Sequence, residues 1–273
     1  MPGEKNKQEK RARRKKRRFS FFRLISLLFI IFITAFALGV GINLFLQPTG
    51  QGRDMDKILS DTESFAFRRI KRALFIKDAV NDKIREKNVI HIEEMPRDLI
   101  HAVVAVEDSR FFSHPGVDFT AIGRATIVNL EAGGIEEGGS TITQQLVKNL
   151  FLSSEQTFGR KLEEVLLALD IEAVYEKEEI LELYLNTIYF GSNFYGVNEA
   201  ALGYFGKSPK DLTLEESALL AGLPNAPSVY SPYVNPELAL KRQHIVLDAM
   251  EKNGYIIAST AKKAKDTALH FAR

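Results

Sequence analysis

A chain of 273 residues that is 45% hydrophobic and 26% charged is long enough for one or two domains with a sizeable core, and its composition excludes wholesale disorder. The net charge of +2 conceals two opposed parts: residues 1–46 carry 11 Lys/Arg against Glu4 and Glu9, a net of +9, while the rest holds 26 basic and 33 acidic residues, a net of −7. No cysteine is present, which rules out disulfides, thiolate metal sites and a lipidated cysteine anchor.

The chain opens on a cationic block, "KNKQEKRARRKKRRFSFFR", followed by Leu24 to Leu46 without a single charge. Those 23 residues, at about 1.5 Å each, cross a hydrocarbon core of roughly 30 Å with some tilt. Beyond them Arg53 and Lys57 are offset by Asp54, Asp56 and Asp61, so the Lys/Arg asymmetry predicts a cytoplasmic N-terminus and an extracytoplasmic remainder. A cleaved signal peptide is the alternative, because Ala35-Phe36-Ala37 has the small-x-small form. The apolar run continues for nine residues past Ala37, which favours an uncleaved anchor. A basic block abutting a membrane span is more often a topology signal than a nucleic-acid arm, and no nucleic-acid partner is expected.

"QPTGQG" (residues 47–52) breaks the pattern, and residues 47–88 read as a juxtamembrane linker with helical stretches. Within it "FRRIKRALFIK" suits either anionic lipid headgroups or an ordinary amphipathic surface helix. The chain thus divides into a basic tail (1–23), a membrane anchor (24–46), this linker and a domain over 89–273.

From Met95 onward the periodicity is helical. Pro96 suits the first turn of a helix burying Leu99, Val103 and Val106, and Phe119 to Leu130 forms a second. Gly133-Gly134 and Gly138-Gly139 bracket a loop before "STITQQLVKNLFL". Wound at 3.6 residues per turn, that stretch sends Ile142, Leu146, Val147, Leu150 and Phe151 to one side, and Thr141, Gln144, Gln145 and Lys148 to the other. Phe158 to Tyr175 is apolar almost all round and is expected to be a central buried helix. "EEILELYLNTIYF", "LTLEESALLAGLP" and "PELALKRQHIVLDAMEKNG" supply further helices, and strand patterns are scarce. The predicted fold class is all-α.

Three stretches carry candidate chemistry. In "VEDSRFFSHPGVD", Glu107 and Asp108 close a helix, where the C-terminal dipole and the adjacent carboxylate both disfavour ionisation and raise a carboxyl toward the range of a general base. Taken alone, such a pair is more commonly an exposed acidic helix end. His114 beside Pro115-Gly116 reads as a turn or packing residue, since no second histidine has ligand spacing. The neutral, donor-rich face around Gln144 and Gln145, with Lys148 and the helix N-terminus at Ser140, suits phosphate oxygens and sugar hydroxyls. It lacks the spacing of a nucleotide P-loop. In "GRKLEEVLLALDIE", Arg160 and Lys161 stand one turn before Glu164, in reach of either a structural ion pair or a used carboxylate. Together these residues imply an extracytoplasmic site for an anionic, glycosylated substrate.

"EDSRFFSHPG", "GGSTITQQLVKN", "RKLEEVLLALDIE", "ILELYLNTIYFG" and "ALLAGLPNAPSVYSP" resemble, in order, the five motifs of the peptidoglycan glycosyltransferase family. That family comprises the polymerase domain of class A penicillin-binding proteins and the monofunctional enzymes. The resemblance covers roughly residues 90–255. It implies a lysozyme-like helical domain with a small membrane-associated lobe, acting on lipid II and a growing glycan strand at the cytoplasmic membrane beside other cell wall synthesis proteins.

By the same resemblance Glu107 is the general base toward the acceptor 4-hydroxyl in an inverting displacement, and Asp108 orients the site. Glu164 positions the donor or holds a cation at the diphosphate. No cofactor is obligatory, and a divalent cation (Mg or Mn) near Glu164 is an option. Arg124, Lys148, Arg160 and Lys161 match positions facing the diphosphate; Ser140, Thr141, Gln144, Gln145 and Asn225 match sugar- and phosphate-contacting positions. Gln156 stands where many relatives carry a basic residue. "STAK" (residues 259–262) has the Ser-x-x-Lys form of a penicillin-binding nucleophile, but only eleven residues follow and no Lys-Thr-Gly occurs, so it is expected on a helix surface. The chain therefore resembles the monofunctional enzymes, or a truncated bifunctional one. A lysozyme-like hydrolase and a silent scaffold are the rival functions.

Overall fold

Five helices in this protein start where a side chain caps them. The computed structural model describes residues 76–84, 89–134, 138–153 and 157–272. These all belong to one compact unit, Phe65–Arg273, while the expected anchor over 24–46 and Gln156 lie outside the described residues. Eleven α-helices run through them in order: α1 (Ile76–Asn81), α2 (Arg97–Glu107), α3 (Phe119–Ala132), α4 (Ile142–Phe151), α5 (Phe158–Val174), α6 (Lys177–Thr187), α7 (Gly196–Phe205), α8 (Leu214–Gly222), α9 (Pro227–Tyr230), α10 (Pro236–Lys252) and α11 (Ala258–Asp266). Among the described residues the only β pairing is an isolated antiparallel bridge between Tyr189 and Tyr195, so the unit is all-α as the periodicity predicts. No helix of the described residues is long and apolar enough to cross a membrane.

Those five starts have a local cause. Asp118 accepts from Ala121 N at the head of α3, Thr157 from Arg160 N at α5, and Asn235 from Leu238 N at α10. Thr141 with Gln144, and Thr213 with Glu216, form reciprocal capping boxes at α4 and α8. Gly133 closes α3 in the left-handed conformation that spares a Cβ clash.

Two groups of helices meet. α2 packs against α8 and α10, and α4 packs against α5 and α6. Leu99, Ala102, Val103 and Val104 of α2, Ile142, Leu146 and Val147 of α4, and Ile180, Leu181, Tyr184 and Leu185 of α6 join one hydrophobic core. Burying each large aliphatic contributes about 1.5–3 kcal/mol. Residues 76–84 fall in the segment read as a linker, yet Ile76 and Val80 of α1 are buried in this core.

Three expectations need correction. Val106 is only half-buried, because the buried side of α2 runs through Ala102 to Ala105 instead. α5 is not buried all round: Glu164, Leu167, Ala168 and Ile171 point inward, while Leu162, Val165 and Leu169 remain half-exposed at its flank. The polar side of α4 is divided, since its capping box draws Thr141 and Gln144 inside and leaves Lys148 in solvent. α3 is the outlier in packing. Only Ala125 of it is buried, and Phe119, Ile127 and Leu130 are each more than half exposed.

Candidate active site

Glu107 stands at the last residue of α2, where the two helix groups meet, and its side chain is 7% exposed. Its Oε2 accepts from Gln145 Nε2 of α4 at 2.7 Å. Its Oε1 is buried and has no hydrogen-bond partner among the described residues; the nearest cation is Arg242 of α10, whose guanidinium lies 3.8 Å away, beyond bonding range. Burial pushes the Glu107 carboxyl above its ordinary 4.5, against the Gln145 hydrogen bond and the Arg242 charge, which lower it, and with Asp108, which adds a smaller upward push. The expected direction holds, but its leading cause is burial rather than the helix end or the neighbouring carboxylate.

Gln145 is itself held. Tyr184 of α6, fully buried, donates its hydroxyl to Gln145 Oε1 at 3.1 Å. Burial, then the Glu107 and Asp108 charges, raise the Tyr184 phenol well above its ordinary 10.0, so it remains a donor at any working pH.

Asp108 turns away from Glu107 and ties loops together. It accepts from His114 Nε2 at 2.9 Å and from Ile142 N, the first residue of α4, at 3.1 Å. A carboxylate at that helix start is favoured by the dipole and fixes where α4, and hence Gln145, begins. Asp118 completes a cluster with Asp108 and His114, whose ligand atoms all lie within 4.8 Å. Its donor set does not favour a metal: Asp118 is taken by the Arg110 guanidinium and Ala121 N, and Asp108 by His114 and Ile142 N. The cluster is a clasp between α2, α3 and α4.

The second carboxylate is equally committed. Glu164 of α5, 2% exposed, accepts from Arg160 at 3.1 Å and from Lys161 Nζ. Lys161 also donates to Ser140 Oγ at 3.0 Å, linking α5 to the loop before α4. With both oxygens engaged, Glu164 fits a divalent cation poorly; two protein cations already supply positive charge there.

The remaining expected residues separate. Lys148 on α4, Arg124 on α3 and Asn225, at the end of the short 3-10 turn Leu223–Asn225, are exposed. Thr141 and Gln144 bond to each other, and Thr141 also donates to Gly116 O at 2.6 Å, so their side chains are spent on holding the helix start. One turn on from Gln145, Asn149 helps line a hollow of ≈ 290 Å³ of mixed character with Lys83, Leu150, Thr187, Tyr195 and Glu199. Arg242 lies in none of the site stretches, Tyr184 falls in the fourth motif with no role attached to it, and His114 reads in the sequence only as a turn or packing residue. A tyrosine on the apolar side of α6 was the available signal, since a buried phenol needs a partner.

A family model described as transglycosylase matches residues 75–251. Penicillin-binding protein 1A of Aquifex aeolicus is 50% identical over 186 residues, covering 68% of this chain and 26% of the relative. Penicillin-binding protein 1F of Bacillus subtilis is 46% identical over 180 residues, covering 66% of this chain and 25% of the relative. The chain thus spans about a quarter of the length of these relatives. A crystal structure of penicillin-binding protein 1A from Haemophilus influenzae is 32% identical over 48% of this chain and 16% of its own, at a TM-score of 0.35, too low to bear on the fold. The chain belongs to the transglycosylase family.

Proposed function

We propose that this protein is a peptidoglycan glycosyltransferase that polymerises lipid II into β-1,4-linked glycan. The observation that carries the reading is Glu107: a buried carboxyl with one oxygen held by Gln145 and the other free to accept a proton. A base is most effective with its pKa lifted toward the working pH, and burial lifts this one.

In the proposed reaction Glu107 Oε1 takes the proton of the acceptor 4-hydroxyl as that oxygen bonds to the donor's anomeric carbon. The bond from that carbon to the diphosphate breaks on the opposite face, with inversion, and polyprenyl diphosphate leaves carrying the electron pair. Lys148, Arg124 and the Arg160–Lys161 pair supply charge for the leaving group. Glu164 holds Arg160 and Lys161 in place and thereby positions the donor indirectly. Asp108 acts through the start of α4.

The same reading takes residues 24–46 as a single anchor with the catalytic unit outside the cytoplasm, and the exposed apolar side chains of α3 as a surface resting on the membrane. Protease added to spheroplasts is expected to digest the large unit and spare the basic tail; a mature chain starting after Ala37 contradicts the anchor. The activity is tested by incubating the detergent-solubilised full chain with lipid II and separating products by size. Long glycan supports the proposal, and cleavage of added glycan without polymerisation supports the hydrolase instead.

A further inference from the structure

A carboxylate base needs one oxygen held and the other open. The group that holds Glu107 is an amide, and an amide has two unlike ends. Turned one way, Gln145 gives Glu107 an N–H donor that favours the ionised base; turned the other, it presents a carbonyl oxygen that repels a carboxylate and accepts from a protonated one. Glu107 alone does not settle the choice, because its protonation changes in each catalytic cycle.

Tyr184 sits on the far side of that amide. Its hydroxyl is 3.1 Å from Gln145 Oε1, Gln145 Nε2 is 2.7 Å from Glu107 Oε2, and the tyrosine is wholly buried in the α4–α6 contact. We propose that Tyr184 is a positioning residue for Glu107: its hydroxyl pins the Gln145 amide so that Nε2 always faces the base and the buried Oε1 of Glu107 stays unpaired, left for the acceptor's proton. This inference rests on the reading of Glu107 as the base.

The charges around Glu107 are few enough to follow. Asp108 is its neighbour on the same element, and Arg242 approaches Oε1 from α10. From α8, also packed on α2, Glu216 is turned to Lys207 and to the cap of its own helix. Gln145 and Arg242 both work against burial to keep Glu107 ionised. Losing the pin removes the first of these whenever the amide turns over.

The test is the pH profile of lipid II polymerisation by the full chain in detergent, for wild type, Tyr184→Phe, Gln145→Met, the double variant and Glu107→Gln. Tyr184→Phe is expected to move the acid limb to higher pH by about one pH unit while the plateau at high pH changes little. Gln145→Met is expected to move it likewise, and Tyr184→Phe to add nothing in that background, because the hydroxyl acts only through the amide. Site-specific 3-fluorotyrosine at position 184, a near-isosteric change, makes the hydroxyl a stronger donor and moves the limb the other way even if Tyr184→Phe folds poorly. An acid limb unmoved in both Tyr184 variants, or a shift that adds to that of Gln145→Met, overturns the proposal. Wild-type turnover by Glu107→Gln is a separate result: it overturns the base itself.

Discussion

Gln145 and Glu107 stand 38 residues apart on two helices, and the 2.7 Å hydrogen bond between them leaves Glu107 with one satisfied and one unsatisfied buried oxygen. A buried carboxyl with an incomplete partner set is costly to the fold when ionised. Its raised pKa means the cost is absent below the ordinary 4.5, grows as pH rises through that value and levels off above the folded pKa. Glu107→Gln, which cannot ionise, is therefore expected to gain stability relative to wild type as pH rises from about 4 to 8. Urea midpoints of both proteins across that range check it; a gap that is constant or shrinks with rising pH contradicts the burial argument.

Arg160 and Lys161 share Glu164 unequally. The Arg160 side chain is 15% exposed and Lys161 44%, against a carboxylate almost wholly buried. Arg160→Ala is expected to destabilise the protein by about 1–3 kcal/mol, since a buried charge loses its more buried donor while Lys161 remains. Lys161→Ala is expected to cost about 0–1 kcal/mol, as for exposed pairs. Denaturant titration separates the two. If Arg160 also faces the diphosphate, its loss lowers polymerisation by about 10²–10³; turnover unchanged in a folded Arg160→Ala protein removes it from the site.

Thr141 connects the start of α4 to the loop after Glu107. It caps the helix and donates to Gly116 O at 2.6 Å, and Gly116 has φ +87 with Glu172 Cγ and Ala168 O only 2.9 and 3.0 Å from where a Cβ would stand. Gly116→Ala therefore meets both backbone strain and contact, and is expected to cost about 1–3 kcal/mol. Thr141→Ala loses the cap for about 1 kcal/mol. Both are expected to reduce turnover through displacement of Gln145, which thermal unfolding and rate measured side by side reveal; full activity in a destabilised Gly116→Ala protein separates this loop from the site.

How much of this was legible in the sequence depends on the range of the contacts involved. α2, α3, α4 and α10 follow from apolar spacing along each helix, which is a local signal. Gln144 departs from the spacing because the capping box that turns it inward competes with the periodicity that turns it outward. The partners of Glu107 are another matter. Tyr184 and Arg242 approach from α6 and α10, and nothing local to either helix marks one as a hydroxyl against an amide or the other as a cation near a base. The Asp108–His114 contact spans six residues, yet its purpose, tying α2 to the start of α4, is a tertiary fact.

Asp118 predicts an acid limb in stability. Burial alone would raise its carboxyl, but the Arg110 guanidinium and Ala121 N outweigh it and hold the pKa at about 2, below the ordinary 3.8. A depressed pKa stabilises the fold above the ordinary value, and that contribution is lost as pH falls from 3.8 through about 2. Asp118→Asn is expected to be less stable at neutral pH by up to about 2 kcal/mol, with the gap closing in that acid window. Unfolding midpoints from neutral pH down to about 2 follow it; a gap that survives at the acid end points to lost packing instead.

The central claim is that the unpaired oxygen of Glu107 takes the acceptor's proton. It is tested most directly by single-turnover polymerisation of lipid II by wild type and Glu107→Gln, with folding and binding of a glycosyl-diphosphate analogue measured on the same preparations. The account predicts a rate loss of about 10²–10⁴ with folding and analogue binding retained. Polymerisation by Glu107→Gln at near wild-type rate would contradict it.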